Sequence, residues 1–82
     1  MVSYEDLAVA IVGREHWRSA GEAAVYSPPG APFSVRVQAV RQPDRRERYL
    51  AAIVVDERAE RTRPCFTAVE AVRWAEGVRA AP

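Results

Sequence analysis

An alternation of apolar and polar residues over positions 33–39 constrains the fold of this chain most strongly. The segment reads Phe-Ser-Val-Arg-Val-Gln-Ala, and this period of two is typical of a β-strand with one buried face. A polar turn rich in charged residues follows at residues 42–47, and residues 49–55 form a second, strongly apolar run. Together these segments predict an antiparallel hairpin at the centre of the fold.

Weaker strand patterns lie on either side of this hairpin. Residues 23–26 are apolar and lead into a loop at residues 27–32, whose prolines and glycine cannot continue a regular element. Residues 61–66 follow a charged loop at residues 56–60, and Pro64 within them removes a backbone donor, which favours an edge strand or a bulge. We therefore expect a meander of three to four antiparallel strands.

Helix signals flank the predicted sheet. Ser3 can cap a first helix that ends at Gly13, or one turn later before Gly21. Residues 67–70 form a capping box in front of a second helix. The apolar stripe of that helix comprises Ala68, Val69, Ala71, Val72, Ala75 and Val78, with Trp74 at its margin. Residues 1–82 are thus expected to form a single small α+β domain in α-β-β-β-α order.

Composition excludes several classes of protein. Of the 82 residues, 49% are hydrophobic and 28% are charged, which is the balance of a globular chain and not of a disordered one. The longest apolar runs, such as residues 50–55, are much shorter than a membrane helix requires. A single cysteine, Cys65, cannot form an internal disulfide. We expect a cytoplasmic protein that does not enter a membrane.

Charge gives one candidate binding region. The net charge of +1 provides no general attraction to nucleic acid or to membranes, so any effect of charge must be local. In a meander, the turn that carries Arg45, Arg46 and Arg48 lies at the same end of the sheet as the helix start at Thr67. Because helix amides add positive charge there, we predict an electropositive pole that would bind a phosphate group or an acidic partner. The alternative is a solvated turn whose acidic neighbours cancel part of the charge.

A second candidate region is one face of the sheet. The strand at residues 49–55 is apolar on both sides. If both helices cover the same side, Leu50, Ala52 and Val54 remain as a partly apolar patch beside Arg36. Alternatively, one helix packs on each side, or the proline-rich loop covers the open side.

Residues able to carry catalysis or to bind a metal are few and scattered. Cys65 precedes a helix start and His16 is the sole imidazole, but the two lie in different segments. One cysteine and one histidine fall short of a zinc site, and the acidic residues at 56–60 lack the spacing of a calcium loop. No glycine-rich phosphate loop is present. We expect neither enzyme activity nor a cofactor.

Two resemblances to known families can be stated. The order helix, three strands, helix resembles the layout of double-stranded RNA-binding domains, but residues 67–71 are neutral to acidic where those domains carry a lysine cluster. Residues 65–76 are similar to the strand-to-helix ending of HicB-type antitoxins and of many small phage-encoded proteins. The second resemblance implies a small regulatory protein.

These observations favour a non-catalytic module that binds another protein, as its inhibitor or regulator. Tryptophan is enriched at interfaces, and Trp17 has charged neighbours in the sequence. The sheet face could also form a homodimer. The alternatives are a nucleic-acid-binding regulator with an arginine-rich hairpin and a small thiol enzyme centred on Cys65. The candidate partner-binding residues are Arg36, Arg45, Arg46, Arg48, Trp17, Leu50 and Val54.

Overall fold

The computed structural model describes residues 4–40 and 49–78. It contains a five-stranded antiparallel sheet with one helix before it and one after it, which confirms the predicted α+β class. The sheet has more strands than predicted. Neither described helix is long and apolar enough to cross a membrane. The elements in chain order are α1 Tyr4–Ala10, β1 Trp17–Ala20, β2 Ala23–Tyr26, β3 Ser34–Ala39, β4 Tyr49–Val55, β5 Arg58–Cys65 and α2 Ala68–Gly77.

The sheet is a meander in which strand order follows chain order, β1-β2-β3-β4-β5. Val35 lies opposite Ile53 and Ala39 lies opposite Tyr49, so the predicted central hairpin is confirmed as β3 and β4. Tyr49 also lies opposite Cys65 at the end of β5. The start of β4, the end of β5 and the start of α2 therefore share one end of the sheet.

Strand β1 is the main departure from the sequence prediction. Residues 14–18 do not extend the first helix, because His16 has a φ of 72° and Trp17 begins a strand opposite Tyr26. Gly21 and Glu22 alone connect β1 to β2, and the φ of Gly21 is 62°. Glycine with positive φ at the first of two loop positions is typical of a type II′ hairpin turn.

Strand β5 begins earlier than predicted. The charged loop at residues 56–60 shrinks to Asp56 and Glu57, which have φ values of 51° and 66°. Positive φ at both positions of a two-residue connection is the pattern of a type I′ turn, whose twist matches that of the strands. The remaining loop residues, 58–60, belong to the strand. Pro64 lies in β5 at the edge of the sheet, as the sequence predicted.

Both helices pack on the same face of the sheet. Helix α1 contacts β2 and β3, helix α2 contacts β3, β4 and β5, and the helices contact each other. Phe33 belongs to the core between these layers and Tyr26 packs against it, so the end of the proline-rich loop lies on the helix side. The other members of this core are Leu7, Val35, Val37, Tyr49, Ala51, Ile53, Cys65, Ala68, Ala71 and Ala75.

The predicted capping box at the start of α2 is present. Thr67 Oγ1 accepts a hydrogen bond of 3.0 Å from the backbone N–H of Glu70. In return, Glu70 Oε1 accepts a bond of 3.1 Å from the N–H of Phe66, one residue before the usual position. Val69 was predicted in the apolar stripe but is 49% exposed, because the buried row runs through Ala68, Ala71, Val72 and Ala75.

Candidate functional site

The face of the sheet opposite the helices, here the outer face, carries a strip of apolar side chains. In β4 it consists of Leu50, Ala52 and Val54, which alternate with buried residues that face the helices. All three are partly exposed. Within residues 4–40 and 49–78, the two helices contact each other and form one core on the opposite face. Leu50 and Val54, two of the predicted binding residues, thus share an open surface.

One cross-strand row on the outer face places a valine between two arginines. Val25 pairs with Arg18 of β1 and with Arg36 of β3. Both arginines are exposed, whereas Val25 is only 7% exposed. The aliphatic stems of arginine can shield a neighbouring apolar side chain while their guanidinium groups stay in water. We attribute the burial of Val25 to these two stems.

The in-register positions of the outer face carry charge of one sign. The strand positions that pair in register on this face include Arg18 and Arg36 but no aspartate or glutamate. Arg36 pairs with Ala52, so one arginine directly adjoins the apolar strip of β4. The outer face therefore combines an apolar centre with positive charge, which suits an acidic surface that has an apolar centre.

The arginines of the predicted pole, Arg45, Arg46 and Arg48, lie outside the described residues. The chain is described again from Tyr49, which lies opposite Cys65 at the end of the sheet where α2 begins. The predicted neighbourhood of the strand start and the helix start is thus present. The electropositive pole itself stays a prediction.

Trp17 lies on the helix side of the sheet, away from the outer face. Its ring packs against Tyr26 with a centroid distance of 5.2 Å. Its Nε1 donates a hydrogen bond of 3.0 Å to Glu76, and Arg14 forms an ion pair of 2.7 Å with the same carboxylate. Trp17 packs against the core and remains partly exposed. The structure does not bring it together with Leu50 and Val54.

A groove between α1 and the start of α2 escaped the sequence prediction. Its volume is about 390 Å³, and Tyr49 donates a hydrogen bond of 3.0 Å to Asp6 within it. Val9, Phe66 and Val69 line it and are 74%, 55% and 49% exposed. Val9 and Val69 fall outside the buried faces of their helices, but the sequence pattern placed Val69 in the apolar stripe of α2 and so gave no signal of the groove. The groove is a second apolar surface.

Cys65 is fully buried. This burial, together with the carboxylate of Glu70, raises the pKa of the thiol above its ordinary value of 9.0. Catalytic cysteines need the opposite shift, because the thiolate is the nucleophile. His16 precedes β1 at one edge of the sheet and Cys65 ends β5 at the other edge, so the structure does not bring them together. Among the described residues, no group of His, Cys, Asp and Glu is arranged to hold a metal ion.

Comparison with known proteins gave no relative for this chain. A scan against protein-family models, a search of curated proteins and a search of solved structures each found no match. The five-stranded sheet also departs from the three-strand layout of double-stranded RNA-binding domains.

Proposed function

We propose that this chain is a non-catalytic module that binds another protein through the outer face of its sheet. One observation carries this proposal: both helices pack on the same face, and Leu50, Ala52 and Val54 stay partly exposed on the other. Apolar side chains grouped on an open surface are typical of interfaces. By covering part of its partner, so small a domain would act as an inhibitor or regulator.

The charges of the outer face favour a partner of particular chemistry. Arg18 and Arg36 lie in one row with Val25 between them, and Arg36 adjoins Ala52. We infer an acidic protein surface with an apolar centre, because opposite charges around an apolar contact both steer and orient the encounter. If two copies packed face to face through the outer face, the arginines of one copy would meet those of the other. The in-register positions of this face supply no acidic side chain to pair with them, so a homodimer is disfavoured.

The same face suits a nucleic acid poorly. Sheets that bind single strands stack the bases on aromatic side chains. The in-register positions of the outer face carry no aromatic residue. Trp17, Tyr26 and Tyr49 lie at the alternate strand positions, which face the helices. A protein partner is therefore the better supported of the two.

Affinity capture with matched variants tests the proposal. The full chain would be immobilised as wild type, as Val54→Asp on the outer face and as Val12→Asp, a substitution of the same type at a residue of the turn after α1 that is 77% exposed. A partner is expected to bind the wild type and Val12→Asp but not Val54→Asp. Circular dichroism and thermal unfolding would establish that both variants remain folded.

The captured protein would then be purified and titrated against the chain at two salt concentrations. Arg36→Glu is expected to weaken binding about tenfold, since it replaces an attraction by a repulsion. Equal capture by the wild type and folded Val54→Asp would refute the outer face as the binding surface. Retention that disappears with nuclease and falls steeply with salt would show a nucleic acid ligand instead.

A further inference from the structure

Strand β5 leaves one long side of the sheet open. It has eight residues, and every residue from Arg58 to Pro64 is exposed. In the part of the chain that the structure describes, β5 pairs with β4 alone. An unpaired edge presents N–H and C=O groups that can pair with a further strand. Pro64 supplies no N–H, so pairing would run along residues 58–63.

A β-bulge decides which side chains of β5 share a face. Ile53 lies opposite Arg61, but Val54 lies opposite Ala59, so Glu60 is the extra residue of the bulge. Arg58 and Arg61 are three residues apart, so strict alternation without the bulge would place their side chains on opposite faces of the sheet. The shift instead pairs Arg58 with Val55.

This pairing places three arginines in one row. Val55 packs against the core on the helix side, as do Ile53 and Ala51. Their partners on β5 are Arg58, Arg61 and Arg63, which therefore line the helix-side face of the edge strand.

The row retains positive charge. Arg63 lies 3.7 Å from a carboxylate oxygen of Glu70, measured from its NH2 nitrogen. Within the described residues, Arg58 and Arg61 form no ion pair. Two exposed cations thus stand along a free edge whose backbone is ready to pair.

We propose that β5 binds an extended acidic peptide segment of a partner, which adds to the sheet as a sixth strand. Backbone hydrogen bonds would hold the segment, and its alternate acidic side chains would face Arg58, Arg61 and Arg63. The same row opposes edge pairing between two copies of this chain, because like charges directly opposite each other are destabilising. The occupant is therefore an acidic strand and not a second β5.

Labelled peptides titrated against the full chain test this site. The probe is an extended peptide of about eight residues in which glutamate alternates with valine or threonine. One control peptide has lysine in place of glutamate. Another has two successive prolines at its centre and keeps the other glutamates, so that an N–H facing β5 is lost in either register. Fluorescence anisotropy gives the affinities, and amide hydrogen exchange reports protection in β5.

The acidic peptide is expected to bind and to slow exchange in β5, while both control peptides bind at least about tenfold more weakly. Arg61→Glu is expected to weaken binding by a similar factor, whereas Arg73→Glu, at an exposed position of α2, leaves it unchanged. Equal affinity for the acidic peptide with and without proline would overturn strand addition. Binding lost with Arg18→Glu but kept with Arg61→Glu would assign the peptide to the outer face and would also overturn it.

Discussion

The indole Nε1 of Trp17 donates a hydrogen bond of 3.0 Å to Glu76 Oε2, which joins the first strand to the last turn of α2. The other carboxylate oxygen of Glu76 accepts a bond of 2.7 Å from Arg14. One side chain thus connects the segment after α1, the start of β1 and the end of α2. Because Trp17 also packs on Tyr26, this connection closes one end of the core.

Replacement of Glu76 should loosen that end. Glu76→Ala removes a hydrogen bond to a partly buried indole and a partly exposed ion pair, so we expect the free energy of unfolding to fall by about 1–2 kcal/mol. Glu76→Gln keeps an acceptor for Trp17 and should lose about half as much. Urea unfolding measures both. Glu15→Ala, at an exposed position, is the control, and a loss as large as that of Glu76→Ala would contradict the connection.

The cap of α2 gives a second prediction. Thr67→Ala removes the acceptor for the N–H of Glu70 and is expected to cost about 1 kcal/mol of unfolding free energy. Thr67→Ser retains a hydroxyl and should stay within a few tenths of a kcal/mol of the wild type. Thermal and urea unfolding of the two variants test this. An equal loss for serine and alanine would show that the threonine methyl group, and not the cap, is what stabilises the helix start.

Cys65 should make stability depend on alkaline pH. Its folded pKa is raised by burial, so in the unfolded chain the thiol ionises first, at its ordinary pKa of 9.0. The free energy contributed by the protonated thiol is fully present below that pH and is lost as the pH rises through the folded pKa. In Cys65→Ala this component of the decline should vanish. Parallel pH profiles of the two proteins would contradict it.

The same burial predicts slow alkylation. A thiol reagent should modify Cys65 in native protein much more slowly than in urea, because only the exposed thiolate reacts. Fast modification of the folded chain would show that the thiol is accessible and would reopen the hypothesis of a thiol enzyme.

The turn between β4 and β5 offers a stabilising substitution. Glu57 has a φ of 66°, a conformation that costs residues with a Cβ atom about 1 kcal/mol, whereas glycine adopts it freely. Glycine also increases the conformational entropy of the unfolded chain, which opposes part of this gain. We therefore expect Glu57→Gly to raise the free energy of unfolding by about 0.5 kcal/mol. The control is Thr62→Gly, at an in-register position of β5, which should be destabilising. A loss of stability with Glu57→Gly would contradict the assigned turn.

The parts of the fold that sequence predicted well are those with a clear period. Strands β3 and β4 alternate or are fully apolar, and Thr67 begins α2 with a complete cap. Strand β1, with the sequence Trp-Arg-Ser-Ala, shows no alternation in burial, and β5 is exposed up to its last residue. Both are held in the sheet by backbone pairing with a neighbour, which leaves little trace in hydrophobic pattern.

The candidate surfaces follow the same rule. The apolar outer face was predicted, because β4 is apolar at successive positions and a single helical layer covers only one side. The groove was not, since it joins Val9 of α1 with Phe66 and Val69 near the start of α2. The arginine row of β5 also escaped prediction, because a bulge that shifts the register by one residue cannot be read from spacing alone.

Helix α2 rests on the sheet largely through alanines, Ala68, Ala71 and Ala75, which are buried. In evolutionary terms these positions have no room to change, because any larger side chain would lift the helix from the strands. The outer face and the β5 edge are free of that restriction, since their side chains project into solvent. Substitutions in these surfaces could therefore accumulate across a lineage of such domains, while the spacing between the two layers stayed constant.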